Sequence, residues 1–297
     1  MESLMKPRII FYGSTNFSEV CLKSLIVHGY PVVAVVTIPG RSKRSRSPIQ
    51  VLAEEHNIPV LTPQNLKDPG FQKEIEKYRP EFQVVVAFKI LPPGIYEICP
   101  TFNIHASLLP DYRGAAPIEW AIMNGEKETG VTSFLLDSKV DTGRIIAQKK
   151  CPILENDTAV DLSRVLSGKA SILVIETLEL LRHGCITKEQ GESNKKAPKI
   201  TREDREIDWN SPADIILRKI RALNRLAPVI KKIYGRETLI LRAAGSDLVL
   251  EPGEIKADKK RGWVGTGTTA IELLEIQPAG KRIMNTAEFL NGYGKKR

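Results

Sequence analysis

The sequence predicts an α/β domain built on a mostly parallel sheet with helices on both faces, followed by a small domain of short strands. Three observations carry this prediction. Apolar runs alternate with stretches of helical periodicity through the first third of the chain, a polar stretch runs from 184 to 199, and short alternating segments with glycine-containing turns fill much of the remainder. A chain of 297 residues is long enough to bury a core in each of two domains.

Residues 8–12 are a short apolar run stopped by Gly13. Residues 16–28 place Phe17, Val20, Leu22, Leu25 and Ile26 at helical spacing, with Asn16 as the expected N-cap. Residues 31–36 are apolar throughout, as strands covered on both faces are. Helix-like 48–56, an apolar piece at 58–61, helix-like 69–78 and the run 83–88 continue the alternation, which is Rossmann-like. Gly13-Ser14-Thr15 sits where a dinucleotide loop would, but Gly-x-Gly-x-x-Gly is absent, which argues against a nucleotide there. Residues 158–182 read as one long amphipathic helix. The polar stretch after His183-Gly184-Cys185 has linker composition, giving a first domain over 1–183, a linker over 184–203 and a second domain over 204–297. In that second domain a helix is expected over 211–224, with Ser211 as N-cap and Pro212 in the first turn. Strand-like segments near 228–234, 238–243, 247–255, 262–266 and 269–276 suggest a small barrel.

Apolar residues make up 42% of the chain and aromatic residues 6%, which fits a globular protein and excludes a fibrous or disordered one. No apolar run approaches the ~20 residues of a spanning helix. The opening residues lack the apolar core of a secretory signal, so a cytoplasmic protein without membrane contact is expected, and a monomer. Cys21, Cys99, Cys151 and Cys185 lie far apart and form no Cys-x-x-Cys pair, which predicts free thiols and no metal site. The net charge of +9 is unevenly spread: residues 1–180 carry equal numbers of basic and acidic side chains, so the whole excess falls in 181–297. A neutral front and a basic rear fit chemistry in the first part and polyanion contact in the second. Basic residues that merely keep a small domain in solution give the same count.

Residues 102–118 carry the chemistry. Side chains two apart in a strand share a face, so Asn103 and His105 emerge together while Phe102, Ile104 and Ala106 face the other way. An amide donor beside an imidazole can hold a carbonyl oxygen that gains negative charge and manage a proton next to it. Leu108-Leu109-Pro110 and Arg113-Gly114 stop the strand and open an irregular wall of the kind that edges a pocket. His105 falls beyond the carboxyl end of a strand, where open α/β sheets bind ligands. A lone histidine is usually structural; its spacing from Asn103, just ahead of an irregular loop, favours a functional one. Asp141, in Val140-Asp141-Thr142-Gly143, reads equally well as a turn former or a functional carboxylate.

Asn103-x-His105, Ser107-Leu108-Leu109-Pro110, Tyr112-Arg113-Gly114-Ala115-Ala116-Pro117-Ile118, Thr129-Gly130-Val131-Thr132 and the segment 136–143 stand in the order and spacing of one family. The chain resembles the 10-formyltetrahydrofolate-dependent formyltransferases over nearly its whole length. Glu206-Ile207-Asp208-Trp209, the turn Pro252-Gly253-Glu254-Ile255 and the segment 277–284 are similar to the second domain of the tRNA-formylating branch. The resemblance implies Asn103, His105 and Asp141 as catalytic residues and 10-formyltetrahydrofolate as co-substrate. The implied acceptor is the methionine α-amine of charged initiator tRNA, in translation initiation. It also implies an OB-like barrel for the second domain, a surface used for oligonucleotides. In that chemistry Asn103 and His105 stabilise the charged oxygen, and Asp141 orients His105 and helps take the proton from the amine. No metal and no cysteine nucleophile takes part. Ser107, Leu108, Leu109 and Pro110 line the folate side, and Val86, Phe88 and Ile90 the pterin wall.

The segment 40–47 packs Arg41, Lys43, Arg44 and Arg46 together without an acid. In the tRNA-formylating branch an inserted basic loop lies here against the acceptor stem, so all four are candidate phosphate contacts, each adding salt sensitivity. A solvated charge run is the alternative. Serines stand where that branch more often has glycines, and residues 223–228 depart from its aromatic and Pro-Gly pattern. Arg113 is read evenly as an RNA contact or a structural partner; Lys281, Arg282 and the tail Lys295-Lys296-Arg297 complete the basic candidates. Rival readings are a sugar-nucleotide N-formyltransferase or a formyltetrahydrofolate hydrolase, neither of which needs the basic loop. A non-catalytic RNA-binding protein on the same scaffold is a third, against which the intact trio speaks.

Overall fold

The computed structural model describes residues 5–38, 46–224, 228–233 and 235–293. Arg41, Lys43, Arg44, residues 225–227 and the tail Lys295-Lys296-Arg297 lie outside the described residues. The chain divides into two compact units, one of Met1–Gly114, Glu128–Pro152 and Ser163–Lys196, the other of Ala115–Lys127, Ile153–Leu162 and Ala197–Arg297.

The chain begins β1 (Ile9–Gly13), α1 (Asn16–Val27), β2 (Val32–Val36), α2 (Pro48–Glu55), β3 (Val60–Leu61), α3 (Pro69–Lys77), β4 (Phe82–Val86), α4 (Pro93–Tyr96), β5 (Thr101–His105) and β6 (Arg113–Gly114). It continues with α5 (Pro117–Met123), β7 (Glu128–Leu135), β8 (Ile145–Pro152), α6 (Ala159–Arg182) and β9 (Lys196–Ala197). Seven strands of the first unit form one sheet in the order β3-β2-β1-β4-β5-β7-β8. Pairing is parallel as far as β5 and antiparallel for β7 and β8. For β8 the cause is simple: its connection to β7, 136–144, is too short for the crossover of a dozen or so residues that a parallel neighbour needs.

β1 is buried from end to end because both faces are covered. Ile10 and Tyr12 pack with Phe71 and Ile75 of α3 and Ile95 of α4. Ile9 and Phe11 point the other way and are equally buried, on the side where α1 packs. The N-cap of α1 is Thr15, not Asn16, because Thr15 and Ser18 form a reciprocal capping box. The Ser18 hydroxyl accepts from the amides of Thr15 (3.0 Å) and Ser14 (3.1 Å), so the donors that a dinucleotide loop offers a phosphate are already used.

The second unit holds α7 (Ala213–Leu223), β10 (Val229–Ile233), β11 (Arg236–Gly245), β12 (Ile255–Ala257), β13 (Gly262–Val264), β14 (Ile271–Pro278), β15 (Met284–Asn285) and α8 (Thr286–Tyr293). Its strands run β10-β11-β14-β13-β12 with β15 also on β14, an antiparallel half-barrel. α7 packs on α5 and β11 through a stripe that includes Ile216 and Ile220. Its N-cap is Pro212 without a side-chain hydrogen bond, so Ser211 does not cap it. The segment 247–254 is not a strand. Pro252 has no amide to donate, and Gly253 adopts φ +82° in a turn closed by the Glu254 amide on the Glu251 carbonyl at 2.8 Å. Among the described residues no helix is long and apolar enough to cross a membrane.

One buried polar network crosses the first unit beneath the site. The Tyr12 hydroxyl donates to Gln83 Oε1 (2.5 Å), and Gln83 Nε2 donates to the Ile95 carbonyl (2.7 Å) and the Thr101 hydroxyl (2.9 Å). Burial pushes the Tyr12 pKa up, so this phenol stays a donor at any ordinary pH. Gln83→Leu keeps the volume and leaves the buried Tyr12 hydroxyl unpaired, while Thr101 keeps its bond to the Tyr96 carbonyl (2.9 Å) and the Ile95 carbonyl keeps the Ile98 amide (3.3 Å). It is expected to lower stability by roughly 2 kcal/mol, a buried orphan costing about 1–3 kcal/mol. Denaturant unfolding of the variant measures this, and an unchanged midpoint counts against the network's role.

Candidate active site

β5 lies between a parallel and an antiparallel neighbour, β4 and β7, and ends on His105. Three groups converge there. His105 is 7% exposed, and its Nε2 lies 2.8 Å from the Tyr112 carbonyl oxygen. A carbonyl only accepts, so Nε2 carries a hydrogen and Nδ1 is the nitrogen left to face the site. Nδ1 stands 3.7 Å from Asp141 Oδ2, and the two side chains are 8% and 11% exposed. Asp141 Oδ2 also accepts from the Gly114 amide at 3.0 Å. On the same strand face, Asn103 Oδ1 is buried and has no hydrogen-bond partner. Asn103, His105 and Asp141 are thus brought together.

Backbone geometry explains why these residues stand as they do. Tyr112 and Asp141 both adopt left-handed φ, +60° and +55°, which tolerates Asp but is strained for a bulky residue such as Tyr. The loop after β7 is tight. Asp137 accepts from the Lys139 amide (3.0 Å) and the Thr142 hydroxyl (2.8 Å), and a Cβ on Gly143 would sit 1.7 Å from the Leu135 carbonyl oxygen. On the other side, the Ser107 hydroxyl donates to the Asp111 carbonyl (2.6 Å), and Thr132 accepts from the Leu109 amide (3.1 Å) while donating to the Ser107 carbonyl (2.6 Å).

Sequence reading missed Tyr112, Thr132 and Gln190 as parts of this site. The Gln190 amide donates to the carbonyls of Asp141 (3.1 Å) and Gly143 (2.7 Å), and its oxygen accepts from Arg113 Nε (3.0 Å) and Nη2 (2.6 Å). The polar stretch around Gln190 runs along the site, stitched to both of its loops. Lys188 and Ile145 exchange backbone hydrogen bonds, the Tyr112 amide donates to the Lys195 carbonyl (2.8 Å), and the Ser193 hydroxyl donates to Asp111 (2.6 Å). Thr132 lies in a motif block; the composition around Gln190 gives no signal.

A cavity of about 550 Å³ opens beside the Asp141 loop, lined on one side by Ile90, Leu91, Pro92, Pro93 and Tyr96 and on the other by Asp137–Val140. Ile90 is 75% exposed there, whereas Val86 is fully buried and the half-buried Phe88 ring lies 5.8 Å from Tyr12. Ser107 and Leu109 are buried in their loop, and Leu108 and Pro110 are half-buried. Of the basic candidates, Arg113 is bonded to Gln190 and to the Gly191 carbonyl (3.1 Å), Arg46 pairs with Glu54 (2.7 Å), and Arg282 pairs with Glu288 (2.6 Å). Lys281 is exposed.

Comparison with known proteins gives this arrangement its class. A model described as formyl transferase matches residues 8–178, and one described as formyl transferase, C-terminal domain matches residues 199–294. The chain is 42% identical to the methionyl-tRNA formyltransferase of Azobacteroides pseudotrichonymphae genomovar. CFP2, over 97% of this chain and 96% of that protein. It is 39% identical to that of Thermodesulfovibrio yellowstonii, with the same coverage of both chains. The chain belongs to the formyl transferase family and, within it, to the methionyl-tRNA formyltransferases. Solved structures of the same fold include HypX from Aquifex aeolicus in complex with tetrahydrofolic acid, at TM-score 0.68 and 22% identity over 97% of this chain and 48% of that one. WlaRD, a sugar 3N-formyl transferase, matches at TM-score 0.69 and 20% identity over 94% of this chain and 99% of that one.

Gly143 offers a test of the loop's geometry. Gly143→Ala forces the backbone away from Leu135 and carries Asp141 with it. A displacement of about 1 Å at a reacting group costs on the order of 100-fold in rate, so the variant is expected to lose formyl transfer on that scale while remaining folded by circular dichroism. Near-normal turnover would show that the loop's position is not critical.

Proposed function

We propose that this chain transfers the formyl group of 10-formyltetrahydrofolate to the methionine α-amine of charged initiator tRNA. The observation that carries this reading is the convergence of Asn103, His105 and Asp141 around an amide oxygen with no partner in the protein. A buried acceptor left unpaired costs about 1–3 kcal/mol, and an attacking amine brings the missing N–H. Asn103 Oδ1 then orients the amine, and Asn103 Nδ2 is free to donate to the formyl oxygen as that oxygen gains charge.

Bound 10-formyltetrahydrofolate supplies the formyl carbonyl; the remaining steps belong to side chains. His105 Nε2–H is committed to Tyr112, so protonated Nδ1 is the donor that reaches the charged oxygen. Asp141, held by the Gly114 amide, stabilises that imidazolium and receives the proton the amine must lose; the formyl carbon–N10 bond then breaks, N10 takes up a proton and tetrahydrofolate leaves. At 3.7 Å, Nδ1 and Oδ2 are too far apart for a direct hydrogen bond and too close for an atom between them, so a partner they share sits to one side, within reach of both. The cavity supports the folate part of this reading. Its wall is apolar and aromatic at Ile90, Leu91, Pro92 and Tyr96, and it carries Lys67, Lys89 and Lys139. Its one acid, Asp137, already holds Lys139 N–H and Thr142. Such a wall suits a flat aromatic molecule bearing carboxylates. The basic excess beyond residue 180 supports the tRNA part. In this reading residues 1–183 carry the reacting groups, 184–203 connect the domains and through Gln190 and Lys195 brace the site loops, and 204–297 bind tRNA, in a cytoplasmic monomer.

The test is formyl transfer from 10-formyltetrahydrofolate to methionyl initiator tRNA, with uncharged tRNA and an amino-sugar nucleotide as parallel acceptors. Transfer to the charged tRNA alone, weakening as salt rises, supports the reading. Transfer to the amino sugar reassigns the acceptor, and transfer to none overturns it. Within that assay Asn103→Ala is expected to lower kcat about 100- to 1,000-fold, the range for losing one donor to a developing oxyanion, with little change in KM for folate. A raised KM at unchanged kcat would assign Asn103 to binding instead.

A further inference from the structure

We infer that Gln190 is a positioning residue for this transfer: its amide fixes the loop that carries Asp141, and Arg113 fixes the amide. This role rests on the catalytic reading of Asp141 given above. A glutamine amide has two N–H donors and one oxygen with two lone pairs. At Gln190 all four are used. Both donors go to the Asp141 and Gly143 carbonyls, at 3.1 and 2.7 Å, and both lone pairs receive Arg113, from Nε at 3.0 Å and Nη2 at 2.6 Å.

Arg113 settles which way the amide points. A guanidinium only donates, so the amide oxygen must face it and the nitrogen must face the two carbonyls, which only accept. Flipping the amide would oppose donor to donor and acceptor to acceptor at once. Arg113 is itself oriented by a further bond from Nη2 to the Gly191 carbonyl at 3.1 Å. The carbonyls Gln190 holds bracket Thr142, so they set the path of the backbone through the left-handed Asp141 and the tightly packed Gly143. Asp141 must then aim its carboxylate at His105 and at the Gly114 amide. Gln190 touches no reacting atom; it acts through Asp141.

Gln190→Glu tests this, because it keeps an oxygen for Arg113 but removes both donors and sets a charge against two carbonyls. Two readouts are taken: steady-state formyl transfer to methionyl initiator tRNA, and hydrogen exchange of the Gly114 amide, which donates to Asp141 Oδ2 at 3.0 Å. Amides of β5 serve as the internal control for folding. The expected result is a kcat lower by about 10- to 100-fold, with KM for both substrates within about threefold. Gly114 exchange should speed up by about tenfold or more while β5 protection holds. Arg113→Lys, which keeps the charge but loses the planar fork, should move both readouts the same way by less. Unchanged kcat in Gln190→Glu overturns the inference, whether or not Gly114 exchange moves, as does equal loss of protection in Gly114 and β5. Should the wild-type protein transfer no formyl group to any acceptor, the functional reading fails by itself. The exchange comparison then decides whether Gln190 holds the Asp141 loop.

Discussion

The hydrogen bond from His105 Nε2 to the Tyr112 carbonyl is the contact on which the rest of the site depends. It fixes the tautomer of the imidazole and turns Nδ1 toward Asp141 and the open side. It also requires the chain to double back from His105 to Tyr112 within seven residues, with Tyr112 in a left-handed conformation that a side chain of its size adopts only when held. What holds it comes from elsewhere in the chain. The Tyr112 amide donates to the Lys195 carbonyl, and the neighbouring Asp111 carboxylate accepts from Ser193. The polar stretch before residue 196 is therefore part of the site's architecture, although it contributes no reacting group.

Two kinds of rigidity meet at this point. β5 is rigid because it is buried: Phe102 and Ile104 are sealed against the sheet's covered face, and Gln83 anchors β4 to Thr101 beneath it. The loops are rigid because their polar groups are paired among themselves, through Asp137, Thr132 and Gln190. Apolar burial places Asn103 and His105 to within the pleat of a strand. Only directional hydrogen bonds can place Asp141, which lies far along the chain on a loop with little apolar surface of its own.

This difference explains what was legible in the sequence. The strands β1 to β5, the helices α1 to α3, the long α6 and the Asn103–His105 pair follow from apolar runs, helical periodicity and strand alternation, all local signals, whereas β7 and β8 were not read from sequence. Asp141 was ambiguous by composition and needed the family resemblance to single it out, because an Asp before Thr-Gly serves turns as well as sites. Gln190 left no trace. It stands in a run of Lys, Glu, Asn and Ser whose composition is that of a linker, and its partners are 47 to 77 positions away. The wrong N-caps at Asn16 and Ser211 and the strand read over 247–255, of which only Ile255 lies in one, are local errors of another kind. A neighbouring Thr captured the cap of α1 through Ser18, Pro212 took the cap position of α7 without a side-chain bond, and Pro252-Gly253 turned the chain where alternation alone suggested extension.

The same distinction sorts the basic residues. A cation available to a phosphate must be cheap to release from its present partner, and exposure sets that release. Arg46 pairs with Glu54 at side-chain exposures of 59% and 40%, an interaction that salt and solvent already weaken, so exchange of Glu54 for a phosphate is easy. Arg282 is in the same position with Glu288. Arg113 is not. Its guanidinium is spent on a neutral amide and a carbonyl that have no charge to be screened, and releasing it would free the Gln190 oxygen and with it the Asp141 loop. Of the two roles that sequence left open for Arg113, the structural one explains every hydrogen bond its guanidinium makes. Exposed ion pairs such as Arg46–Glu54 and Arg282–Glu288 can change partner without moving the Asp141 loop, whereas Arg113 cannot.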